Sequence, residues 1–423
     1  MLRHPSLKLA PGPFNPFVDG KLPRQTFLLE TSQRYGPIFK FSWERTVSTG
    51  IVGFEAAREF LAENDHRISG ISQDLSPLGD FTHARNLSGE VHTRCKRHLV
   101  QAMPRAGIDQ RECALRAFIV RELAAFADRC AEQQPTAADL KDLTGSLASG
   151  MLVTTLFGVL PGSSEFQELV DAYIKLGPSG FEWTLGPSQV EGYRQIECLS
   201  RELVAGLSKA QLERAESGYL RELARADGHD RLIWINLLTM IEMGRYDLAS
   251  LLRWIFSLLS NNRHIVSRLK EEQREDADGF HALAEATVFE TLRHVQSESL
   301  ARRADEDIVF RGHFIPRRSY VRICLWETHK DPVTFRDPFR FDPDRFLSCR
   351  YDMNSFAPFG LGKHRCVAAD AVVRLATLFV QELTGGFDWR ATGNGDPVLL
   401  FSIWEPSPDF TISLENQKTA CGV

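Results

Sequence analysis

A long apolar stretch near the middle of the chain, "LIWINLLTMIEMGRYDLASLLRWIFSLL" (232–259), most limits how these 423 residues can fold. Four charged residues interrupt it: Glu242, Arg245, Asp247 and Arg253. Its longest uncharged run, 232–241, is too short to cross a bilayer. The stretch therefore predicts a long helix buried in a globular fold, in which the charged groups are either paired or functional.

The rest of the chain indicates a mainly α protein with small β-sheets (α+β). Helical periodicity is clear in 111–132 and 281–295, whereas 37–54 alternates as a hairpin does and 398–404 has the composition of a strand. We predict a single domain over residues 1–423. Within it we expect a small β-rich region at about 35–55, a helical body at about 55–300, and irregular chain with C-terminal strands at about 300–415.

Composition excludes several classes of function. A net charge of −5 gives no reason to expect a nucleic-acid partner. The eight cysteines form no CxxC pair, which argues against a zinc site or a disulfide framework and fits a reducing cytosol. The N-terminus contains no apolar segment of the kind found in signal peptides or anchors. We therefore expect a cytoplasmic protein without a membrane anchor.

One cysteine lies in an unusual setting, in "FAPFGLGKHRCVAAD" (356–370). Cys366 follows a loop with two glycines and three basic residues, and it precedes a stretch predicted to be helical from about 366 to 384. This placement favours the thiolate over the thiol. Three interpretations remain open from these residues: a buried cysteine, a nucleophile that lacks an identifiable base, or an axial ligand to an iron whose other ligands come from a porphyrin.

The residues around this cysteine distinguish the three interpretations. "FGLGKHRCVA" (359–368) resembles the haem-binding motif of the cytochrome P450 family at each of that motif's constrained positions. Upstream, "ETLR" (290–293) is similar to the ExxR motif of that family, and "FRFDPDRF" (339–346) to the segment that follows it. A weaker similarity extends from "RYGPIF" (34–39) to the C-terminal tail. The resemblance implies a P450 fold with haem b (iron protoporphyrin IX) buried between the long central helix and the cysteine loop.

The resemblance also implies roles for individual residues. Cys366 would be the axial thiolate, with Phe359, Gly360 and Gly362 keeping the loop against the porphyrin. A buried structural triad would consist of Glu290, Arg293 and Arg345, although an exposed salt bridge is the alternative. The haem propionates would bind a further set of residues: His92, Lys96, Arg302 and His364. Lys96 stands where the family more often has arginine, and Arg303 is the alternative to Arg302; for His92 and Lys96, the other interpretation is a solvated basic helix face.

The central helix departs from the family. "MGRYDLAS" (243–250) matches the segment in which an acidic residue and a threonine usually help to deliver protons to dioxygen. Gly244 is kept, but Tyr246 occupies the acidic position and Asp247 that of the first threonine. We name Asp247, Gly244 and Glu242 as candidate catalytic residues. Asp247 has three possible roles: a displaced acid, a substrate anchor, or a partner in a helix kink.

The resemblance implies an oxidoreductase of secondary metabolism. We expect a monooxygenase that inserts one oxygen atom into an apolar or natural-product-like small molecule, with electrons from a separate ferredoxin or flavodoxin-type partner and its reductase. A basic patch near the cysteine would bind that partner: Arg94, Arg97, Lys363 and Arg365. Two alternatives remain: an atypical haem-thiolate enzyme that uses peroxide or acts as an isomerase or dehydratase, and a haem protein that only binds or senses a ligand.

Overall fold

A computed structural model describes most of the chain: residues 8–13, 24–43, 46–72, 74–79, 81–103, 105–177, 184–214, 217–275, 280–295, 300–400 and 403–417. Helices dominate it, and we number them in chain order: α1 (Phe27–Tyr35), α2 (Phe54–Asn64), α3 (Gly89–Ala102), α4 (Arg105–Glu132), α5 (Ala137–Phe157), α6 (Ser164–Lys175), α7 (Pro187–Ala205), α8 (Lys209–Leu212), α9 (Gly218–Ala226), α10 (Arg231–Asn261), α11 (Arg263–Glu275), α12 (Phe280–Val295), α13 (Leu325–Thr328), α14 (Asp344–Ser348) and α15 (Ala369–Gly386).

The strands are short and form four small sheets. Their bounds are β1 (Lys8–Leu9), β2 (Ile38–Trp43), β3 (Thr46–Ile51), β4 (Ile68–Gly70), β5 (Leu300–Ala304), β6 (Ile308–Phe310), β7 (His313–Ile315), β8 (Tyr320–Ile323), β9 (Phe387–Thr392), β10 (Pro397–Leu400), β11 (Ile403–Pro406) and β12 (Thr411–Asn416). The largest sheet has the order β2-β3-β8-β5-β4, in which only β3 and β8 run parallel. β1-β7-β6 form a second sheet, and β10-β11 and β12-β9 are antiparallel pairs. The α+β class predicted from the sequence is confirmed.

The predicted buried helix is α10, which spans 31 residues. It begins where the Asp230 carboxylate accepts a hydrogen bond from the Ile233 amide at 3.1 Å, as an N-cap residue does. Its apolar residues join the main core together with α4, α5, α12 and α15. Among the described residues, the structure has no helix long and apolar enough to span a membrane.

Three of the four charged residues within the apolar stretch 232–259 of α10 are paired in the interior. Arg245 Nε lies 2.8 Å from Glu242 Oε2. Arg253 pairs with Glu405 of β11 and donates to Thr144 Oγ1 of α5 at 2.9 Å. A bidentate or doubly bonded guanidinium makes such charges tolerable in the core. The fourth, Asp247, lies half-buried on another face of the helix.

Candidate functional site

A cavity of about 220 Å³ lies between α10 and the loop that contains Cys366. Its wall also includes residues of α3, β5, α12 and the turn before α3. The residues of α10 that line the cavity are spaced three or four positions apart, as residues on one face of a helix must be. That face consists of Asn236, Thr239, Met240, Met243, Gly244, Asp247, Leu251 and Trp254.

This helical face separates the three candidate catalytic residues. Gly244 and Asp247, three residues apart, both line the cavity. Glu242 is out of phase with them and lies fully buried against Arg245, where burial raises the pKa of its carboxyl group. Arg245 also donates to the carbonyl of Gly177 and lies 5.1 Å from the centre of the Tyr246 ring. The Glu242–Arg245 pair therefore belongs to the packing behind α10, not to the cavity wall.

Asp247 is the one carboxylate in the wall, among the residues that the structure describes. Seven basic side chains line the same cavity: His83, Arg85, His92, Lys96, Arg302, His364 and Arg365. The lysine and the three arginines are cations, and their excess over the single carboxylate favours an anionic ligand. The donor set thus fits haem, whose two propionates would meet several of these groups.

The loop before α15 holds Cys366 at the cavity. Gly360 and Gly362 have φ values of +86° and +66°, a region that side chains other than glycine rarely adopt. The Cys366 amide donates to the Phe359 carbonyl at 2.9 Å, which closes the loop. Helix α15 begins only at Ala369, three residues later than the sequence predicted. Phe359 and the half-buried Cys366 both line the cavity.

The four predicted propionate ligands converge from three parts of the chain. His92 and Lys96 come from α3, Arg302 from β5 and His364 from the cysteine loop, and all four line the cavity. Arg303, the alternative to Arg302, is exposed and lies 4.0 Å from Asp305. The geometry therefore places Arg302, and not its neighbour, in the wall.

Two of these groups are uncharged imidazoles in contact. The rings of His92 and His364 lie 4.3 Å apart. Burial, with Arg302 and His92 nearby, lowers the pKa of His364 to about 3. Burial, and to a smaller extent the charge of Lys96, also lowers the pKa of His92. Each neutral ring keeps one N–H donor, so the pair can hydrogen-bond a carboxylate without repulsion between two cations.

Lys96 also fixes the cysteine loop. Its ammonium donates to the carbonyls of Lys363 and of Arg365, the latter at 3.1 Å. Lys363 in turn pairs with Asp65, which follows α2. Because an ammonium has three protons, Lys96 can hold the loop with two of them and retain the third for a ligand in the cavity.

The predicted triad lies in the core beside the cavity. Glu290 and Arg293 of α12 are fully buried, with Arg293 Nε 2.6 Å from Glu290 Oε2 and Nη2 2.8 Å from Oε1. Arg345 Nε lies 3.4 Å from Glu290 Oε1. Both guanidinium groups also donate to carbonyls of the segment 336–340, and Arg293 donates to the carbonyl of His329 as well. The alternative of an exposed salt bridge is thus excluded for this pair.

Sequence reasoning missed two residues, one in the turn before α3 and the other on α10. His83 is buried in the cavity wall, and Asn236 of α10 holds the backbone on both sides of it. Neither residue belongs to a motif. The turn also has no periodic sequence pattern from which the orientation of the His83 side chain could be predicted. The N-capping preference of polar side chains was the only local signal for His83, whose Nδ1 accepts from the Arg85 amide at 3.1 Å.

Comparison with known proteins agrees with this geometry. A profile of the cytochrome P450 family matches residues 229–369. Cytochrome P450 76C4 of Arabidopsis thaliana is 25% identical over 88% of this chain and 82% of its own length. Abscisic acid 8'-hydroxylase 3 of Oryza sativa subsp. japonica is also 25% identical, over 88% of this chain and 78% of its own length.

A solved structure shows the same fold. CYP120A1, a cyanobacterial protein solved with retinoic acid bound, superposes with a TM-score of 0.69 over 97% of this chain and 100% of its own, at 20% identity. The family profile covers the segment from the start of α10 to the start of α15, which contains the cavity face of α10, the buried triad and the cysteine loop. The profile match, the relatives and the shared fold together support assignment of the chain to the cytochrome P450 family, whose relatives named here include a hydroxylase, a monooxygenase activity.

Proposed function

We propose that this protein binds haem b through Cys366 and inserts one oxygen atom into an apolar, natural-product-like small molecule. One observation supports the proposal above all. Cys366, four basic residues from three elements and the Gly244–Asp247 face of α10 surround the same cavity. When bound, haem supplies the activation of dioxygen that monooxygenation requires.

The residues of the chain would divide the work of binding. Cys366 would donate its thiolate to the iron, and Lys96 beside it favours the ionised sulfur. The Cys366 charge in turn raises the pKa of Lys96, although burial, the larger effect, lowers it. Arg302 and Lys96 would supply charge to the propionates, and His92 and His364 neutral donors. Phe359 would pack beside the sulfur and exclude water from it.

The substrate class is inferred from the wall and from the relatives. Met240, Met243, Leu251 and Val295 supply apolar surface to the cavity. Proteins similar to this chain include abscisic acid, geranylhydroquinone and (S)-N-methylcoclaurine hydroxylases. These are plant natural products of mixed apolar and polar character. We propose a substrate of this kind, with isoprenoid acids and ketones as the first compounds to screen for a spin shift.

Electrons would come from a separate ferredoxin or flavodoxin-type protein and its reductase. Arg94 and Arg97 are exposed on α3, and Lys363 is partly exposed on the cysteine loop. Arg94 lies 3.2 Å from Asp230, and Lys363 pairs with Asp65, so both charges are partly compensated. The proposed docking patch would therefore depend most on Arg97 and Arg365, which form no ion pair with the carboxylates that the structure describes.

A second candidate function rests on Asp247. An ionised carboxylate accepts hydrogen bonds but cannot donate one, unlike the threonine usual at this position. A haem-thiolate catalyst that uses peroxide, or that isomerises or dehydrates its substrate, would not need the usual proton delivery. A protein that only binds or senses a ligand would show binding spectra without turnover.

Replacement of the proposed thiolate tests the proposal. The reduced CO complex of the wild-type protein should have the red-shifted Soret band of thiolate ligation, and Cys366→Ser should lose it. Cys349→Ser, at an exposed site, and Cys324→Ser, in the core, are matched controls that should keep the band. A thiolate spectrum that persists in the Cys366→Ser protein would refute the assignment.

A further inference from the structure

His83 differs from the other basic residues of the cavity in its hydrogen bonding. It is 5% exposed and lies in the turn before a short 3-10 helix, Ala84–Asn86. The Arg85 backbone N–H donates to His83 Nδ1 at 3.1 Å. Because a backbone N–H can only donate, Nδ1 must be the unprotonated nitrogen of the ring.

The other ring nitrogen must then carry the proton. Burial, reinforced by Arg85, lowers the pKa of His83 to about 3, so the ring is neutral near pH 7. A neutral imidazole with Nδ1 as acceptor has its N–H at Nε2. His83 Nε2 is buried and has no hydrogen-bond partner among the described residues. A buried donor without a partner is unfavourable, so a native protein that keeps one has a use for it.

The position of this ring is fixed from α10. Asn236 Oδ1 accepts from the Ala84 amide at 2.7 Å, and Asn236 Nδ2 donates to the Thr82 carbonyl at 3.1 Å. The two bonds hold the backbone on either side of His83 to the cavity face of α10. They fix the backbone on which the His83 side chain is carried. His83 is therefore a positioned donor in the wall of the cavity.

A neighbouring hydroxyl in the wall is already engaged. Thr239 Oγ1 donates to the Asn236 carbonyl of its own helix at 2.9 Å. The groups assigned to the haem propionates come from α3, β5 and the cysteine loop, whereas His83 is held to α10. Because His83 lines the cavity and its backbone is held to α10, a molecule that lies along α10 is the candidate partner for its buried donor.

We propose that His83 Nε2–H donates a hydrogen bond to a carbonyl or carboxylate oxygen of the substrate and so selects for oxygenated molecules. This inference rests on the proposed function, because it assumes that the substrate occupies the same cavity. His83 would be a residue that determines specificity rather than one that takes part in the oxidation. An apolar molecule of equal shape would leave the donor unpaired and would bind more weakly.

A matched pair of probes tests the donor without knowledge of the natural substrate. 1-(Acetylphenyl)imidazoles, with the acetyl group at position 2, 3 or 4, present a carbonyl, and the isopropenyl compounds replace its oxygen by an isosteric CH₂. The imidazole nitrogen of both series ligates haem iron, so each dissociation constant follows from a difference spectrum of the holoprotein. The ratio of the two constants reports on the carbonyl alone, because any shift of the turn affects both probes.

We expect at least one acetyl isomer to show the effect. Its preference over the isopropenyl compound should fall by about tenfold in His83→Phe, which removes the donor, and should persist in His83→Gln, which keeps an N–H. His264→Phe, at an exposed position of α11, should leave the ratio unchanged.

Three results would overturn the inference. One is an equal ratio in wild type and His83→Phe for all three isomers. A second is a loss of haem from His83→Phe with the ratio unaltered, which would assign the donor to a propionate. The third is the absence of any imidazole spectrum in the wild-type protein, which would refute the proposed function itself and this inference with it.

Discussion

Asp247 places an acceptor where the family usually has a hydroxyl, one helical turn after Gly244. Both residues line the cavity, and Asp247 is half-buried there. An ionised carboxylate would repel negative charge that develops on bound oxygen. It can serve proton delivery only if it is protonated or relays through water. The alternatives are recognition of a cationic or hydroxylated substrate and a structural role in the helix.

We predict that Asp247 handles protons. Asp247→Asn should leave the affinity measured by the substrate spin shift intact, because the amide keeps the size of the side chain. Turnover should fall by about a hundredfold, and the electrons supplied should appear as hydrogen peroxide. Asp247→Thr should restore part of the coupling. The measurements are spin-shift titration, substrate oxidation and peroxide release in the same preparation.

Met243→Leu is the matched control, since Met243 lies on the same face of α10 and has no proton to transfer. It should keep the coupling of the wild type. A weaker spin-shift affinity in Asp247→Asn with normal coupling would assign recognition to the carboxylate. Unchanged affinity, rate and coupling would leave it a structural residue.

At the scale of elements, the buried triad joins α12 to the segment that leads to the cysteine loop. Arg293 donates to the carbonyls of His329 and Pro338, and the Asp342 amide donates to Glu290 Oε1 at 2.9 Å. Lys330 covers the end of α12, with its ammonium bonded to the carbonyls of Arg293 and His294. The chain between α13 and α15 has little regular secondary structure, and this hydrogen-bond network holds it in place instead.

Removal of either partner should strand a charge in the core. We predict that Glu290→Ala and Arg293→Ala each lower the free energy of unfolding by about 3–5 kcal/mol, with poor folding and loss of haem rather than a slow catalytic step. Denaturant unfolding and haem content measure the two effects.

The control for this prediction is a pair with the same spacing on the surface. Arg194 and Glu191 of α7 are separated by three residues, with 68% and 74% of their side chains exposed. Arg194→Ala should change stability little, because solvent screens such a pair. Stable, haem-loaded protein from both core variants would show that the triad is dispensable.

Sequence patterns predicted the elements of this protein better than the direction of single side chains. The apolar stretch 232–259 predicted α10, and the alternation in 37–54 predicted β2 and β3. Glu242 was grouped with Gly244 and Asp247 because it is near them in sequence. A separation of five residues between Glu242 and Asp247 turns the two side chains away from each other, and the i, i+3 spacing to Arg245 favours an ion pair.

The parts of the site in which a sequence motif fixes the backbone could be predicted, and the other parts could not. Gly360 and Gly362 indicated a tight loop, and their positive φ values agree with it. The start of α15 was placed too early, because the Cys366 amide bonds back to Phe359 instead of entering the helix. Asn236 holds the backbone on either side of His83 through hydrogen bonds that span 152 and 154 residues in numbering, which local patterns do not contain.

At the scale of the whole molecule, the interior holds histidines that must remain neutral. Burial, with Lys330 and Arg293 nearby, lowers the pKa of His294 to about 2 and that of His329 well below its usual value. In the unfolded chain both titrate near pH 6.5. The unfolded state therefore binds more protons than the native state below that pH, and stability is lost as the pH falls through 6.5 towards 3.

We predict that the free energy of unfolding falls by about 2–3 kcal/mol between pH 7.5 and pH 5.5 from this pair of histidines. Urea unfolding at several pH values measures it. His294→Phe removes one of the titrating groups and should reduce the fall in stability by about 1.4 kcal/mol. His264→Phe, on the surface, should leave it as it is. A stability that stays level or rises on acidification would contradict the prediction.

The cysteine loop is held by protein groups on three sides: by Lys96 from α3, by Asp65 after α2, and by His329, whose Nε2 accepts from the Ala357 amide at 3.1 Å. Ordering a free loop of this length would cost about 1–2 kcal/mol per residue in conformational entropy. Because these contacts order the loop when the protein folds, ligand binding does not have to order it. The loss of conformational entropy therefore does not reduce the affinity for a planar ligand. The planar ligand would then bind to a cavity whose cysteine loop is already in place. The rate of binding would depend on how the cavity opens to solvent rather than on how the loop folds.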